Sequence, residues 1–557
     1  MSKMNTKSEE TFNNISTIVP GSTAGSTDVP GTTTIGSTSI PRSRTMAVAG
    51  FHEVAISRLV LAISMVAGTL LRLYQINAMG FNTDEAVYAG QAAAIAGVPG
   101  LKDIFPIFRA HPLLIQSLLA LIYKIQFSDI AGRLLAVVIG LGTIYLTYLT
   151  GKMLYGRLPG AVAAFFLALM PYHVTVSRQF LLDGPMVFFA TLTLYLLARF
   201  GKTQRAEWFY AAAAALGLTF LAKETGIILV AAVFVFLALS PEVRVRFRDL
   251  IVAFVLLVLV IAPMPVTLLL AGRGSTGNNY LSYQLFRRPN HPALFYLQTV
   301  PPALGIMLIV VAALGIVFLW RERSWRETLL LAWIFVTIIF FQIWPVKGFQ
   351  YLLPIAPAVA ILAGRLLGRL LERNQDGQSQ KSPLNYLAIP PLLSWAVVGV
   401  LGFSLGFASW QRIQPETSSL FLAGTGGIPG GREAGIWISQ NVPLNSKFMA
   451  IGPSMANIIE FYGERIAYGL SVNPNPLHRN PAYDPILNPD LQLRNSDMQY
   501  IVWDSFSASR SPFFADKLVA YIKKYNGRVV HTEYIPVKDN KGNLVNQPVI
   551  IIYEVHP

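Results

Sequence analysis

The chain has 557 residues, of which 53% are hydrophobic and 13% are charged, and its formal net charge is +15. Soluble domains carry about 25% charged residues, so this deficit indicates a membrane protein whose Lys and Arg serve topology and anionic lipids, and nucleic acid is not an expected partner. The chain contains no cysteine, which excludes disulfides, thiolate metal sites and cysteine nucleophiles.

Residues 1–50 form a tail rich in Ser, Thr and Gly, including "STIVPGSTAGSTDVPGTTTIGSTS" at 16–39. Such a composition cannot bury a core, so the tail is predicted to be disordered. Arg42, Arg44 and Arg58 lie beside the Ser/Thr/Gly-rich run and favour a cytoplasmic N-terminus.

Residues 51–410 contain repeated apolar runs close to the roughly 20 residues that cross a bilayer. They predict about eleven spanning helices, placed near 57–75, 131–151, 160–178, 184–200, 207–222, 225–240, 249–270, 294–320, 327–345, 351–371 and 387–410. The apolar segment 111–127 is short and carries Lys124, so it is predicted to be a juxtamembrane or partly inserted helix.

Basic loops set the orientation. With the N-terminus in the cytoplasm, five basic loops fall on the cytoplasmic side, where Lys and Arg concentrate in membrane proteins. They are "GKMLYGRLPG", "GKTQRAEW", "PEVRVRFRD", "RERSWRE" and "LERNQDGQSQK". If 111–127 crossed the membrane, these loops would face outward. The odd number of spans puts the C-terminus outside, so we expect a multi-pass protein of the cell membrane.

Residues 411–557 differ in pattern from the rest of the chain. The apolar segments "KFMAIG", "MQYIVWD", "RVVHTEY" and "PVIIIYEV" have strand length and alternate with the helix-like "GREAGIWISQNVP" and "FFADKLVAYIKKY". This alternation predicts an extracytoplasmic α/β domain.

Several polar residues fall at the predicted outer ends of the helices, where charge is costly and often functional. They are Asp84, Glu85, His111, Asp183, Lys223, Glu224, Arg287, Arg288 and Lys347. As a set, two separated carboxylates and several cations could activate a hydroxyl and bind a lipid phosphate.

Each residue also has a structural interpretation. Asp84 and Glu85 in "NTDEAVYA" could stabilise a helix start, and Asp183 could do the same with Pro185 in the first turn. His111 could simply be the residue that precedes a helix beginning at Pro112.

The cations have structural interpretations too. Lys223 and Glu224 could neutralise each other, Arg287 and Arg288 could bind lipid head groups, and Lys347 could extend its ammonium to the interface.

The order of five segments resembles the GT-C glycosyltransferases. These are "RLYQINAMGFNTDEAVYAGQAAAI", "HPLLIQSLLALIYK", the run from "AGRLLAVV" to "FLLDGPMVFF", "FLAKETG" and "KGFQYLLPIAPAVAILAG". The resemblance covers roughly residues 55–370 and is greatest to the branch of protein mannosyltransferases and lipid A aminoarabinose transferases. It implies a GT-C fold, a polyprenyl-phosphate sugar donor and an extracytoplasmic active site.

The resemblance also implies site residues. Asp84 corresponds to the catalytic acidic residue after the first helix and is expected to be the general base, with Asp183 as the second acidic residue. The expected substrate-binding residues are Glu85, Tyr88, Arg109, His111, Lys223, Glu224, Arg287, Arg288, Lys347 and Tyr351. Where aminoarabinose transferases have a Lys before a Pro pair, this chain has "RAHPLL", so Arg109, His111, Arg287 or Lys347 could take over that lysine's role at the lipid phosphate.

The implied activity is inverting transfer of a sugar to an acceptor on a protein, lipid or glycan of the cell envelope. No cofactor is required; a divalent metal ion, if one is used, would be held by Asp84, Asp183 and His111. The oligosaccharyltransferase signature "WWDxG" is absent, which argues against transfer of a whole oligosaccharide to Asn.

Two further functions stay open. A transporter or flippase of a lipid-linked or anionic substrate would also have many helices with intramembrane charges, although inverted repeats are not evident. A scaffold whose C-terminal domain binds partners would not depend on Asp84 or Asp183.

Overall fold

The structure is a computed structural model that describes residues 42–107, 111–270, 280, 282–376, 390–415, 427–538 and 543–556. Residues 1–41 of the predicted tail lie outside this part. The first helix, α1, begins at Arg42, so residues 42–50, which were predicted to be disordered, are helical.

The helical part of the protein precedes residue 415. Its described α-helices are α1 (Arg42–Leu73), α2 (Thr83–Ala96), α3 (Leu114–Tyr123), α4 (Asp129–Tyr155), α5 (Arg157–Leu169), α6 (Pro171–Val176), α7 (Asp183–Thr203), α8 (Ala206–Ala222), α9 (Leu229–Ala238), α10 (Phe247–Ile261), α11 (Pro263–Leu270), α12 (Phe295–Leu304), α13 (Ile306–Phe318), α14 (Trp325–Ile343), α15 (Ile355–Asp376) and α16 (Pro391–Arg412). The segment 111–127 contains only the ten-residue α3, which is short for a membrane crossing.

Among the described residues, six helices are long and apolar enough to span a membrane, or up to seven if one bent pair is a single span. The six are Glu53–Leu73, Asp129–Tyr155, Asp183–Thr203, Phe247–Leu270, Trp325–Ile343 and Leu392–Arg412. Helices also occupy the other predicted segments, but α5, α8 and α9 are shorter. The count of about eleven spans therefore stays a prediction.

Two segments that were predicted as continuous helices are broken. The helix expected over 160–178 ends at Leu169, and Pro171 begins the short α6. The helix expected over 294–320 consists of α12 and α13, which meet at an angle of 87°. Gly305 joins them with a φ of 94°, a backbone conformation that glycine adopts without strain.

The packing of the long helices brings the predicted site residues to one end of the bundle. α4 packs on α5 and α7, and α7 packs on α8. Arg133 near the start of α4 and Arg178 before α7 donate to carbonyls at the end of α1, and Lys223 after α8 binds Asp183 at the start of α7. The ends of α1 and α8 and the starts of α4 and α7 therefore lie at the same end of the bundle. We call this the site end. The other end carries the segments 151–160, 201–208, 241–249 and 321–327, and we call it the basic end.

The C-terminal residues form an α/β domain, as predicted. Its sheet has the order β2-β1-β3-β5-β4. β1 pairs in parallel with β2 and with β3, and β5 pairs antiparallel with β3 and with β4. The four predicted strands are β1 (Lys447–Ala450), β3 (Tyr500–Asp504), β4 (Arg528–Lys538) and β5 (Leu544–Glu554), and the structure adds β2 (Ile466–Gly469). The described helices are α17 (Gly431–Asn441), α18 (Pro453–Gly463), α19 (Pro489–Arg494), α20 (Ser505–Arg510) and α21 (Pro512–Lys524).

The sheet separates two hydrophobic cores. Side chains alternate along β1, so that Phe448 and Ala450 belong to the large core shared with the helical part, while Met449 faces a smaller core. α17 and α18 pack against each other on the first face, and α21 contributes Leu518 to the second core. One face of the C-terminal domain is therefore continuous with the interior of the helical part.

Candidate active site

The start of α2 is fixed by a capping box. The Asn82 side chain accepts a hydrogen bond from the Glu85 backbone N–H (3.0 Å), and the Glu85 carboxylate accepts one from the Asn82 backbone N–H (3.1 Å). This reciprocal pair satisfies two backbone donors that a helix start leaves unpaired. Of the two adjacent acidic residues, Glu85 is therefore the one that caps the helix.

Glu85 is buried among protein donors. Arg133 on α4 donates from Nε to Glu85 Oε1 (2.9 Å) and from Nη2 to Oε2 (2.7 Å), and the Phe180 backbone N–H donates to Oε1 (3.0 Å). With the capping bond, each oxygen of Glu85 accepts two hydrogen bonds, and the residue is 0% exposed. These contacts give Glu85, which was predicted to bind substrate, a structural position between α2 and α4.

Arg133 extends this network to the loop before α2. Its guanidinium also donates to the carbonyls of Ile76 (2.8 Å), Met79 (2.7 Å) and Gly80 (2.9 Å). The sequence interpretation did not single out Arg133. The available signal was an arginine inside the apolar run "AGRLLAVV", since charges in such runs usually have a specific partner.

Asp84 lies next to Glu85 but in a different environment. Among the described residues, no hydrogen bond or ion pair is made by its carboxylate. The titratable groups that interact electrostatically with it are Lys223, His111, Asp183 and Glu85. Burial raises the pKa of the Asp84 carboxyl above its usual range, and the two cations only partly oppose this effect. Asp84 is thus a carboxylate available to an external proton donor.

Asp183 and Lys223 form a buried ion pair. Lys223 Nζ lies 2.8 Å from Asp183 Oδ1 and 2.7 Å from Oδ2, and both side chains are buried. The ammonium also lies 4.9 Å from the centre of the Tyr351 ring, within cation–π range. Lys223 is therefore paired with Asp183, the first residue of α7, and not with its sequence neighbour Glu224.

Glu224 pairs with His111. The distance from His111 Nδ1 to Glu224 Oε2 is 2.8 Å. Burial alone would raise the pKa of Glu224, but His111 and then Lys223 outweigh it and lower that pKa. The imidazole ring lies edge-on to Tyr88 (5.6 Å between ring centres) and to Tyr280 (5.5 Å), so it is held on three sides.

The other described cations of the predicted set have different environments. Lys347 is buried, and its Nζ donates to the carbonyls of Gln342 (3.0 Å) and Trp344 (3.2 Å). Arg287 lies over the Tyr283 ring (5.4 Å), and Arg288 is exposed. Arg109 lies outside the described residues.

The structure does not arrange the three proposed metal ligands to hold a metal ion. Both oxygens of Asp183 bind Lys223, and His111 Nδ1 binds Glu224. Within the part of the chain that the structure describes, no group of three or more His, Asp or Glu side chains is placed to hold a metal ion. A metal ion at Asp84, Asp183 and His111 gains no support from this geometry.

The C-terminal domain contacts the residues directly before Asp84. Asn457 Nδ2 on α18 donates to Thr83 Oγ1 (2.8 Å), and the Phe81 backbone N–H donates to the Tyr462 hydroxyl (3.1 Å). Arg432 on α17 donates to the Asn77 carbonyl (3.0 Å). Sequence reasoning missed these contacts, because nothing in a single sequence connects residues more than 350 positions apart.

Arg432 and Tyr462 also meet the start of α4. Arg432 Nη2 lies 3.1 Å from Asp129 Oδ2, and the Tyr462 hydroxyl donates to the same oxygen (3.2 Å). The C-terminal domain thus contacts both helices, α2 and α4, that the Glu85–Arg133 pair joins.

Comparison with known families and proteins gives a local match in sequence. The family of dolichyl-phosphate-mannose-protein mannosyltransferases matches residues 110–268. YycA of Bacillus subtilis (strain 168), whose name marks it as an inferred mannosyltransferase, is 32% identical over 149 residues, which are 26% of this chain and 21% of YycA. YkcB of the same organism, named in the same way, is 33% identical over 110 residues, and the match spans 15% of its length.

Solved structures match over much more of the chain. ArnT from Cupriavidus metallidurans bound to undecaprenyl phosphate has a TM-score of 0.61 at 14% identity, covering 89% of this chain and 97% of ArnT. The archaeal oligosaccharyltransferase AglB from Archaeoglobus fulgidus, in complex with an inhibitory peptide and a dolichol-phosphate, has a TM-score of 0.55 at 14% identity, covering 88% of this chain and 74% of AglB. At this identity the likeness shows the fold alone: the chain shares its fold with these GT-C glycosyltransferases, and the family match at residues 110–268 lies within the segment 55–370 that carries the resemblance in the sequence.

Proposed function

We propose that the protein transfers a sugar from a polyprenyl-phosphate donor to an acceptor, with inversion, and that Asp84 is the general base. The observation that carries the proposal is the difference in bonding among three neighbouring carboxylates, those of Asp84, Asp183 and Glu224. Asp183 is bound by Lys223 and Glu224 by His111, whereas Asp84 is unbonded among the described residues and has a raised pKa. A base works best when its pKa approaches the working pH, so Asp84 is the carboxylate suited to accept a proton.

In the proposed step, Asp84 takes the proton of an acceptor hydroxyl or amine. The acceptor atom attacks the anomeric carbon as the bond from that carbon to the phosphate oxygen breaks, and polyprenyl phosphate leaves with the electron pair. The phosphate gains negative charge, which Lys223 and an N–H of His111 would stabilise. Asp183 and Glu224 hold these two side chains in place and are positioning residues in this scheme.

Two of the structural relatives support the donor class, because they are bound to undecaprenyl phosphate and to dolichol-phosphate. Tyr88, Tyr351, Arg287, Arg288 and Lys347 are proposed to contribute to the donor and acceptor surfaces, and Arg109 is proposed to act at the lipid phosphate. Polyprenyl phosphate and membrane lipids are the expected partners, and the sugar and acceptor are to be identified.

The same proposal places the site end outside the cell and the basic end in the cytoplasm. The loops of the basic end carry, for example, Arg244, Arg246, Arg248, Arg321 and Arg323, all of which are exposed. Concentration of Lys and Arg on the cytoplasmic side is the general rule for multi-pass proteins. In this orientation the donor lipid alone supplies the leaving group, so no nucleotide enters the step.

The test uses the purified full-length protein in nanodiscs with a panel of radiolabelled polyprenyl-phosphate sugars. Release of polyprenyl phosphate, by transfer or hydrolysis, supports the enzyme. Asp84→Asn is expected to lower turnover by about 10²–10⁴-fold, the usual contribution of a general base, with donor binding retained. Asp103→Asn is the matched control, because Asp103 is exposed beyond α2.

The other functions give different results. A transporter would move labelled lipid across vesicles without breaking the bond, and a scaffold would do neither. Asp84→Asn turnover equal to that of Asp103→Asn would remove Asp84 from the role of base.

A further inference from the structure

A second cationic site lies at the site end, outside the cluster around Asp84. It is a pocket of about 40 Å³ where the ends of α1 and α16 meet α4 and the segment after α6. We call it the basic pocket, and its polar lining consists of Gln75, Arg133, Thr175, Arg178, Gln179 and Arg412. Neither Asp84 nor Lys223 nor His111 lines it.

Among the described residues, one carboxylate pairs with one of the three arginines of the basic pocket. Arg133 is neutralised by Glu85, whose oxygens are filled. Arg178 uses one nitrogen, Nη1, to donate to the Leu71 carbonyl (2.7 Å), and it has no acidic partner in the described part of the chain. Burial, and then Arg133, lower the pKa of Arg178 to about 10, so it stays charged at neutral pH.

Arg412 is the last residue of α16 and also faces the pocket. Its guanidinium makes no hydrogen bond or ion pair with any residue that the structure describes. Two guanidinium groups with unused donors therefore meet in one pocket, next to a third that is already paired. Uncompensated charges that are partly buried are costly, and an anion in the pocket would remove that cost.

The chemistry of the lining selects the kind of anion. Guanidinium groups present their donors in a planar fork that matches phosphate oxygens, so paired arginines favour phosphate over small halides. Gln179 adds an amide N–H donor to the lining. Its Oε1 accepts a hydrogen bond from Asn82 Nδ2 (3.3 Å), and its Nε2 donates to none of the described residues. A site for one water needs about 10–15 Å³, so this pocket holds a few waters or one phosphate-sized group.

The position of the basic pocket suits a membrane surface. Tyr74 and Trp410 pack against each other beside it, with ring centres 4.3 Å apart and ring planes tilted by 42°. Phe403 and Phe407, two turns and one turn before Trp410 on α16, are exposed. Tyr and Trp concentrate at the membrane boundary, which is the level of lipid phosphates.

We propose that the basic pocket binds a phosphate group through Arg178 and Arg412. The phosphate could belong to an anionic lipid headgroup or to free inorganic phosphate, and the experiment separates these sources. The proposal does not depend on the transferase activity.

Binding is measured on the full-length protein in nanodiscs of zwitterionic phosphatidylcholine. In one arm, inorganic phosphate is titrated against chloride at equal ionic strength, and the melting temperature is recorded. In the other, native mass spectrometry measures retention of phosphatidylglycerol relative to phosphatidylcholine. A rise in melting temperature with phosphate identifies the free anion, and selective retention of phosphatidylglycerol identifies the lipid headgroup.

The variant Arg178→Gln/Arg412→Gln is expected to weaken binding at least tenfold in the arm that responds. Arg246→Gln/Arg321→Gln removes the same charge from exposed residues of the basic end and is expected to bind like the wild type. Because Arg412 makes no described bond, Arg412→Gln alone can be made without breaking one, and it should still weaken binding.

Three outcomes would overturn the proposal. One is wild-type protein that binds neither probe. Another is equal binding by wild type and Arg412→Gln. The third concerns Glu416, the acidic residue nearest to Arg412 in sequence: binding seen only in Glu416→Gln would mean that the chain's own carboxylate competes for these arginines.

Discussion

Replacing Glu85 by Gln should destabilise the fold strongly, and the structure allows the cost to be worked out. Oε1 accepts from Arg133 Nε and Phe180 N, and Oε2 accepts from Arg133 Nη2 and Asn82 N. Glutamine keeps only one of the two oxygens and has an NH₂ group in place of the other. Whichever oxygen is replaced, one Arg133 donor and one backbone N–H then face that NH₂ group. Arg133 is also left as a buried, unneutralised cation.

A lost neutral hydrogen bond costs about 1 kcal/mol and one to a charged group about 1.5–3 kcal/mol. Breaking a buried ion pair by removing one partner costs about 3–5 kcal/mol in total, and this range includes those lost bonds. We therefore expect Glu85→Gln to lower the free energy of unfolding by about 3–5 kcal/mol.

The assay is equilibrium unfolding of purified protein in detergent micelles. Glu207→Gln is the matched control, because Glu207 pairs with Arg205 at 2.8 Å but the two side chains are 52% and 66% exposed. Exposed pairs contribute about 0–1 kcal/mol. Asp84→Asn should change stability in the opposite direction, since it removes a half-buried carboxylate whose pKa is raised and breaks no described bond. If Glu85→Gln cost no more than Glu207→Gln, the structural role assigned to Glu85 would be wrong.

Two further predictions concern the residues beside Asp84. The acid limb of kcat/KM should inflect above about 3.9, the ordinary Asp value, because burial raises the pKa of Asp84; activity is then kept above that pKa and lost as the pH falls through it. A pH–rate profile checks this, and an inflection at or below the ordinary value would contradict it. Asn457→Ala and Thr83→Val should each destabilise the protein and be non-additive, with a coupling of about 0.5–1.5 kcal/mol from their shared hydrogen bond. Strict additivity in a double-mutant cycle of unfolding free energies would show that this contact contributes nothing.

The sequence was informative where local chemistry decides the structure. "NTDEAVYA" carries its own capping residues, so the helix start at Thr83 could be predicted without any tertiary contact. The strands of the C-terminal domain were predicted because their apolar runs are short and rich in Val, Ile and aromatic residues. The four-residue β2 was missed, since it is too short to show a pattern.

The partners of the charges could not be predicted from the sequence. Lys223 and Glu224 are adjacent, yet one reaches Asp183 and the other His111, because consecutive side chains point in different directions. Likewise, nothing near Glu85 in sequence identifies Arg133 as its partner. The break at Gly305 was missed because an apolar run indicates that a segment avoids water but does not indicate where the helix axis changes direction.

The contacts between α18 and the residues before α2 bear on how relatives of this protein could be recombined. A chimera that exchanges only residues 427–557 would keep Thr83, Phe81 and Asn77 from one parent and take their partners Asn457, Tyr462 and Arg432 from the other. The mismatch would fall on the residue directly before Asp84. The natural unit of exchange is therefore discontinuous: residues 77–83 should travel with the C-terminal domain, although more than 340 residues separate the two segments.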